Sequence, residues 1–314
     1  MRLRPLGFVA AVVVTLLVWH LGWFSGDRTW QSASGWDAIP SHLRPESRPL
    51  WPTASGATPP QLDWLGHAGF LLRWQGVSLL LDPNLNDRCS LARRTTPAPA
   101  QAADLGRIDA VLLSHAHYDH MDLPTLAGLG DLEQVILPAG DEPYVESVLG
   151  VRTKLSPVLV GETVRVGPLA ITAVAAAHHG SRHHPLPSVR KAVGYVVEGE
   201  GGAIYFAGDT GFANPFEAIA QQFHPRVAIL PIGAYAPRFP IGVVHLNPEQ
   251  AVEVGKQMGV EIVVPCHFGT FTLSLDRPDD ALPRFAVAAA AAQLPWMMPA
   301  MLPKMFGAPR TVAR

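Results

Sequence analysis

The stretch LLSHAHYDHMD, residues 112–122, holds three histidines and one aspartate within six consecutive positions, directly after an apolar run. Residues two apart at the end of a strand point to the same side, so His115 and His117 can bind one ion. Asp119 and His120 follow and can turn toward a second ion. Imidazole and carboxylate are ligands that zinc takes at open sites, and two neighbouring ions can together promote hydrolysis. The stretch therefore predicts half of a two-metal site.

The pattern H-x-H-x-D-H after a strand resembles the signature of the metallo-β-lactamase superfamily. The resemblance implies an α/β fold, the αβ/βα sandwich of two mixed sheets with helices on the outer faces. The order of elements along the chain agrees, because short strands with few helices between them suit two sheets packed face to face. We predict this sandwich, preceded by one N-terminal transmembrane helix.

The composition is that of a globular domain without an affinity for nucleic acid. Of the 314 residues, 48% are hydrophobic and 16% are charged, which suffices for the core of one catalytic domain. The formal net charge is -2 and no Lys/Arg cluster is interleaved with aromatic residues, so we expect no nucleic-acid partner. Cys89 and Cys266 allow one disulfide at most and leave the redox compartment open. Cys266 is expected to be a small buried residue.

The N-terminus carries an export signal. Arg2 and Arg4 precede an uncharged apolar run at residues 7–24, which has the length that crosses a bilayer. Such a start is either a cleaved signal peptide or an uncleaved anchor. Trp23 and Phe24 are bulky where cleavage needs small residues, which favours an anchor at residues 1–24. Positive charge ahead of the span predicts a catalytic domain on the periplasmic, extracytoplasmic side of a bacterial inner membrane.

Three further segments follow the predicted anchor. Residues 25–60 are rich in Ser, Gly, Pro and Trp without periodicity and predict a linker. Residues 61–293 are predicted to form the catalytic domain. Residues 294–314 are an apolar tail rich in proline and methionine. This tail is either an interfacial segment that lies on lipid near the pocket or ordinary packing on the domain.

Hydrophobic patterning predicts where the strands and two of the helices lie. Alternating apolar residues at 61–83 predict a hairpin whose second strand ends at Asp82. Helix starts are predicted at Asp122 and Asn247, each with a proline close behind it. Further short strands are predicted at 108–113, 134–138, 193–197, 203–207, 226–231 and 261–264, with two more inside 163–178.

A two-metal centre needs more ligands than residues 115–120 supply, and His178, Asp209 and His267 lie where predicted strands end. Their spacing fits the superfamily. The resemblance implies that His178 completes the first ion's histidines, Asp209 bridges both ions, and His267 joins the second. The expected ligands of two divalent ions, Zn²⁺ by preference, are His115, His117, Asp119, His120, His178, Asp209 and His267. The same ligands also accept manganese or iron.

Several other histidines compete for roles at this site. The preceding strand favours His178 as the ligand, with its neighbour His179 as the alternative. His183 and His184 are expected on a loop at the rim. His67 has two open interpretations, either orienting a ligand or lying in the core as a hydrogen-bonded histidine.

A carboxylate at position 209 affects the chemistry that is expected. It would balance the charge of two dications and leave a shared water that ionises near neutral pH, which suits attack on phosphorus or on an acyl carbon. Superfamily members that open β-lactams usually place cysteine or serine at this position, so the resemblance disfavours a lactamase. No Ser or Cys elbow such as G-x-S-x-G occurs. A bridging hydroxide is therefore the predicted nucleophile.

A closer resemblance covers residues 64–278. It is carried by residues 64–68 with 81–83, by 115–126, and by 232–238 with 245–249 and 267–271. These segments are similar to the N-acyl-phosphatidylethanolamine-hydrolysing phospholipase D family and its bacterial relatives, which implies a dinuclear zinc phosphodiesterase acting on a phospholipid-like diester. Asp119 and His245 are the expected catalytic residues, His245 as a donor to the leaving oxygen. Tyr118 and Tyr235 would line the pocket.

Three functions are compatible with these residues. The leading one is a membrane-anchored hydrolase of phosphodiesters, with a phospholipid or a small diester as substrate. A lactonase or other acyl hydrolase of the same fold is the second. A non-catalytic envelope protein that keeps metal as a structural staple is the third, and the complete ligand set argues against it.

Overall fold

The computed structural model describes residues 34–45, 49–51, 58–130, 132–150, 152–182 and 191–300. These residues form an α/β fold with two six-stranded sheets and a separate two-stranded hairpin. The first sheet contains, in spatial order, β1 (Gln61–Gly66), β2 (Gly69–Trp74), β3 (Val77–Leu81), β6 (Ala110–Leu112), β7 (Gln134–Pro138) and β8 (Lys154–Val158). The second contains β14 (Ile262–Cys266), β13 (Val227–Pro231), β12 (Gly202–Phe206), β11 (Lys191–Gly199), β10 (Leu169–His179) and β9 (Thr163–Val166). The hairpin pairs β4 (Arg88–Cys89) with β5 (Ala92–Arg93).

Both large sheets are mixed, as predicted. In the first, β1, β2 and β3 pair antiparallel, whereas β3, β6, β7 and β8 pair parallel. In the second, β9 to β12 pair antiparallel and β12 to β14 pair parallel. Parallel strands bring their carboxyl ends to one edge of a sheet, so the loops after β3, β6, β12, β13 and β14 are where a site can form.

The helices begin where local signals predict them. Within the described residues the α-helices are α1 (Leu123–Gly128), α2 (Glu142–Val145), α3 (Phe216–Phe223), α4 (Pro248–Met258) and α5 (Ala281–Ala291). The Asp122 carboxylate accepts the Thr125 N–H at 3.0 Å ahead of α1. Asn247 and Gln250 form a reciprocal capping box ahead of α4. Both predicted helix starts are confirmed.

The stretch 61–83 contains three strands rather than the single hairpin that was predicted. The predicted reversal after Trp74 is confirmed, because Trp74 pairs with Val77. The chain also reverses at His67, which has a φ of 55° after Gly66 with a φ of 93°. Left-handed backbone at two successive residues makes this turn too tight for the alternating pattern to reveal.

Side chains along the first sheet belong alternately to two hydrophobic clusters. Side chains one residue apart on a strand point to opposite faces. Leu79 and Leu81 of β3 therefore lie in the main core, which includes the second sheet, whereas Leu80 lies in a second cluster with Leu126 of α1 and Val145 of α2. Helix α4 packs on β13 and β14 between α3 and α5. The helices thus lie outside the two sheets, as the sandwich requires.

Part of the predicted linker belongs to the core. In the described residues of 25–60, Ile39, Leu50 and Trp51 are buried in the main core, and the Trp51 ring packs edge-on against Trp74 at 5.3 Å between centroids. The linker prediction therefore does not apply to these residues, because their apolar side chains find partners that composition alone does not disclose.

The described part of the predicted tail packs on the domain. The Val263 N–H of β14 donates to Pro295 O and the Met297 N–H donates to Val263 O, both at 3.0 Å, so this segment pairs with the sheet edge. Trp296 is buried and packs edge-on against Phe285 at 5.6 Å. For residues 294–300 the structure favours packing over an interfacial segment. Residues 301–314 lie outside the described residues.

The predicted membrane anchor at residues 1–24 also lies outside the described residues. Among the helices of the described ranges, none combines the length and the apolar composition of a bilayer span.

Candidate metal centre

The predicted ligands converge at the edge where strands of both sheets end. Residues 115–120 follow β6, His178 lies at the end of β10, Asp209 follows β12 and His267 follows β14. The two sheets are joined directly here, because the Val193 N–H of β11 donates to Ser114 O at 3.0 Å. The spacing that was read along the chain therefore becomes one cluster in space.

The first group consists of His115, His117, His178 and Asp209, whose candidate ligand atoms all lie within 4.8 Å of one another. His117 Nδ1 lies 2.9 Å from His115 Nε2 and 3.2 Å from His178 Nε2. Asp209 Oδ2 lies 3.8 Å from His115 Nε2 and 4.0 Å from His178 Nε2. Bonds of 2.0–2.1 Å at a tetrahedral angle place the ligand atoms of zinc about 3.3 Å apart. The group has that spacing.

The second group consists of Asp119, His120 and His267, together with His67. Asp119 Oδ2 lies 3.3 Å from His120 Nε2 and 3.1 Å from His267 Nε2. Asp209 Oδ2 lies 3.0 Å and 3.2 Å from the same two nitrogens. Asp209 Oδ2 is thus near the ring nitrogens of both groups, which is the placement that a bridging ligand needs.

Hydrogen bonds behind the first group set the tautomers of two histidines. Ser114 Oγ donates to Asp82 and so accepts the Nδ1–H of His115 at 2.9 Å. His178 Nδ1–H donates to Val244 O at 3.0 Å. The Nε2 atom of each ring then carries the lone pair and faces the cluster, which is the form that binds a metal.

Asp82 holds His120 in the same way and was not among the predicted site residues. His120 Nδ1–H donates to Asp82 Oδ2 at 2.7 Å, and the Ser114 N–H donates to Asp82 Oδ1 at 2.7 Å. The Asp82 side chain is fully buried. A carboxylate behind a ligating imidazole raises its basicity and fixes its orientation. One indication of this role was present in the sequence, because Asp82, like the predicted ligands, stands at the end of a predicted strand.

Burial keeps the first group's histidines neutral. It is the main cause that lowers the pKa of His115, with His120 adding to it, and it lowers the pKa of His117 to about 4. Burial, followed by the charge of His245, lowers the pKa of His178 well below 6.5. A neutral imidazole has the lone pair that a metal requires.

The carboxylates at the centre are ionised. Burial by itself raises the pKa of Asp119 and Asp209, but His120 and His267 outweigh it and hold both pKa values well below 3.8. Burial lowers the pKa of His120, and the carboxylates of Asp209, Asp119 and Asp82 reverse this and raise it above 6.5. The cluster therefore has an excess of buried negative charge, which a dication can balance in place of protons.

The residues present fit divalent cations. Within the described residues, His120 Nε2 and Asp209 Oδ1 are buried without a hydrogen-bond partner. Buried polar atoms in proteins are rarely unpaired, and each such atom needs an explanation. A cation beside them would pair both atoms, and histidine with carboxylate is a donor set that zinc accepts.

His245 joins the cluster from the loop after β13. Its Nδ1–H donates to Ile241 O at 2.9 Å, and its Nε2 lies 3.3 Å from Asp209 Oδ2. Its side chain is partly exposed. His179 is exposed and belongs to neither ligand group, so the structure favours His178 over it as the ligand. His183 and His184 lie outside the described residues.

The two tyrosines have different surroundings. Tyr118 is exposed beside the metal-binding loop, with the Arg182 guanidinium 4.3 Å from its ring centroid. Tyr235 was predicted to line the pocket. Its hydroxyl instead donates to Asp280 at 2.7 Å, and its ring lies under Arg284. This network joins the loop after β13 to α5.

Arg182 is a further residue that sequence reasoning missed. Its Nε donates to Ala116 O at 2.8 Å and its Nη2 donates to Met121 O. Both carbonyls belong to the loop that carries His117 and Asp119. Arg182 therefore ties this loop to the end of β10 and stabilises its conformation. Cys89 and Cys266 are free and buried.

Comparison with known proteins settles the family. Residues 78–268 match the family model described as the beta-lactamase superfamily domain. The chain belongs to the metallo-β-lactamase superfamily. The predicted superfamily is thus confirmed, and the four motif residues His115, His117, Asp119 and His120 are divided between the two ligand groups.

Two curated relatives from the superfamily are informative. N-acyl-phosphatidylethanolamine-hydrolyzing phospholipase D 1 of Caenorhabditis elegans is 33% identical over 227 residues, which cover 67% of this chain and 64% of that protein. A metal-dependent hydrolase of Methanopyrus kandleri is 32% identical over 222 residues, which cover 67% of this chain and 85% of that protein. The chain thus spans less than two thirds of the length of the Caenorhabditis elegans relative.

Among solved structures, a metallo hydrolase from Ignicoccus hospitalis superposes with a TM-score of 0.58. The two chains are 23% identical, and the match covers 78% of this chain and 96% of the other. At this identity the likeness shows the superfamily fold and nothing further.

Proposed function

We propose that this chain is a metal-dependent hydrolase that binds two divalent cations, with zinc as the native metal. The observation that carries the proposal is the position of Asp209 Oδ2, within 4.0 Å of histidine nitrogens from both ligand groups. His115, His117 and His178 would hold the first ion. Asp119, His120 and His267 would hold the second, and Asp209 would be shared. Bound there, the ions would polarise the scissile group and activate water near neutral pH.

His245 is the side chain that we assign to proton transfer. Its Nδ1–H is committed to Ile241 O, so Nε2 is the atom that faces Asp209. Because the side chain is partly exposed, Nε2 can take up a proton from solvent and donate it to the leaving oxygen. Asp119 and Asp209 provide the negative charge that holds both cations. In this mechanism no side chain forms a covalent bond with the substrate.

We further propose that the substrate is a phosphodiester of the phospholipid class. Five exposed apolar side chains, here named the apolar rim, lie on loops that follow the ligand-bearing strands: Phe212, Phe239, Val243, Leu273 and Leu275. The loops touch one another, since the Leu275 N–H donates to Ala236 O at 3.0 Å and Gly211 packs against Val243 O. Contiguous exposed apolar surface commonly marks a binding site. The Caenorhabditis elegans relative, named for a phospholipid substrate, supports the same class.

An apolar rim would also suit the membrane location that the sequence predicts. We propose that residues 7–24 anchor the chain in the membrane with the catalytic domain on the extracytoplasmic side. The apolar rim would then face the extracytoplasmic surface of that membrane.

The first test compares substrate classes on one metal preparation. The zinc-loaded protein is expected to cleave N-acyl-phosphatidylethanolamine in vesicles, releasing phosphatidic acid and the N-acylethanolamine. A chelator should stop the reaction and added zinc should restore it. Turnover of a lactone panel without turnover of any diester would replace the phosphodiesterase by a lactonase. Two bound ions with no turnover of either class would favour a structural role for the metal.

A second test concerns the apolar rim. Phe239 is 79% exposed, and we expect Phe239→Ser to reduce activity on vesicles while affecting a short-chain soluble diester far less. The expected loss on vesicles is about 10–100-fold, because burying a phenylalanine side chain contributes about 1.5–3 kcal/mol and each 1.4 kcal/mol is a factor of about ten. Val287→Ser on α5 is the matched control, since Val287 is also exposed but lies on a helix away from the site. Equal losses on both substrates would remove the rim from lipid binding.

A further inference from the structure

His67 is held rigidly against the second ligand group. Its N–H donates to Thr270 Oγ1 at 2.6 Å, and its carbonyl accepts the His267 N–H at 3.0 Å and Trp64 Nε1–H at 2.9 Å. The residue is 1% exposed and has a φ of 55°. A left-handed histidine persists only where its surroundings fix it, and such residues concentrate at functional sites. The turn therefore presents the imidazole in one orientation.

That orientation points the His67 ring at Asp119. His67 Nε2 lies 2.9 Å from Asp119 Oδ2, and its ring centroid lies 4.0 Å from that of His267. A ring nitrogen with a lone pair would repel a carboxylate oxygen at this distance, so Nε2 carries the hydrogen and donates. The bond is charge-assisted and buried, which makes it stronger than a neutral hydrogen bond.

Asp119 has few other donors. In the described residues, its side-chain partners besides His67 are His120 and His267. Both of these would present lone pairs, not hydrogens, once they bind a cation. His67 is then the one described side chain that still donates to the Asp119 carboxylate. Other ligands are held by hydrogen bonds in the same way, His120 by Asp82 and His115 by Ser114.

We propose that His67 is a positioning residue of the second metal position, which donates its Nε2–H to Asp119 and holds that carboxylate in its ligating orientation. The proposal rests on the proposed two-ion site. Without the donor, the Asp119 carboxylate can rotate about its terminal bond, and that freedom must be lost again whenever the second ion binds. Losing an outer partner of a metal ligand typically costs about 10–100-fold in metal affinity. His67 does not belong to the first ligand group, so the affinity of the first ion should be unchanged.

The test measures zinc binding to the metal-depleted full chain by competition with a chromophoric chelator. Wild type is expected to bind two ions. His67→Leu removes the donor and should weaken one of the two ions about 10–100-fold and leave the other unchanged. His67→Gln places an amide N–H near the Nε2 position and should restore most of that affinity. Leu65→Ala, which makes a cavity in the strand that ends just before His67 and lies outside the ligand groups, is the matched control and should bind both ions normally.

The outcomes separate the inference from the proposed function. If His67→Leu binds both ions as tightly as wild type, His67 only fills the core and the inference fails. If His67→Gln is as weak as His67→Leu, His67 is itself a ligand and the positioning role fails. A wild-type chain that binds fewer than two ions would instead overturn the two-ion site.

Discussion

Asp209→Ala is expected to reduce the metal content and to abolish hydrolysis while the fold persists. Asp209 Oδ2 lies 3.0 Å from His120 Nε2 of the second group and 3.8 Å from His115 Nε2 of the first, so the substitution removes a carboxylate that both ligand groups approach. Turnover should fall more than about 10³-fold, because even outer partners of metal ligands are typically worth about 10–100-fold. The loss should follow the loss of metal.

The measurement is metal analysis of the purified variant, paired with turnover and with thermal unfolding. Asp141→Ala is a suitable control, because Asp141 is as deeply buried as Asp209 and lies outside both ligand groups. It should affect stability without changing the number of bound ions. Two ions and undiminished turnover in Asp209→Ala would exclude Asp209 from the centre.

Local signals predicted much of the fold. Strand β7 has the predicted bounds of 134–138, and the helix at Asn247 begins where it was predicted, with a capping box. These features depend on side chains a few residues apart, which a pattern can reveal. Strand β8 was missed because Pro157 interrupts its pattern, and α5 was missed because its alanines form no polar face.

The convergence of the site was predictable because one topological rule governs it. His178, Asp209 and His267 stand at strand ends, and carboxyl ends of neighbouring strands meet at one edge. The partners behind the ligands were not predictable in this way. Arg182 reaches carbonyl oxygens, which leave no trace in a sequence. Asp82 is brought beside Ser114 only by the parallel pairing of β3 with β6, in which Leu81 lies opposite Leu112.

Asp82 is the position where we expect the largest effect on stability. Its carboxylate accepts Ser114 N–H at 2.7 Å, Ser114 Oγ–H at 2.5 Å and His120 Nδ1–H at 2.7 Å, and its side chain is fully buried. Asp82→Ala leaves these three donors unpaired in the core. Removing one partner of a buried pair typically destabilises a protein by about 3–5 kcal/mol. Urea unfolding of the metal-depleted protein should show a loss of that size.

Asp82→Asn tests what the carboxylate does for the metal, apart from what it does for the fold. The amide keeps the volume, and its oxygen can still accept from Ser114, but its NH₂ group would face the Nδ1–H of His120. His120 would relieve that conflict by moving its hydrogen to Nε2, which then can no longer ligate the second ion. We therefore expect a smaller loss of stability than in Asp82→Ala, together with zinc affinity at one position lowered by about 10–100-fold. If Asp82→Asn binds both ions normally, the carboxylate serves only the fold and does not set the tautomer of His120.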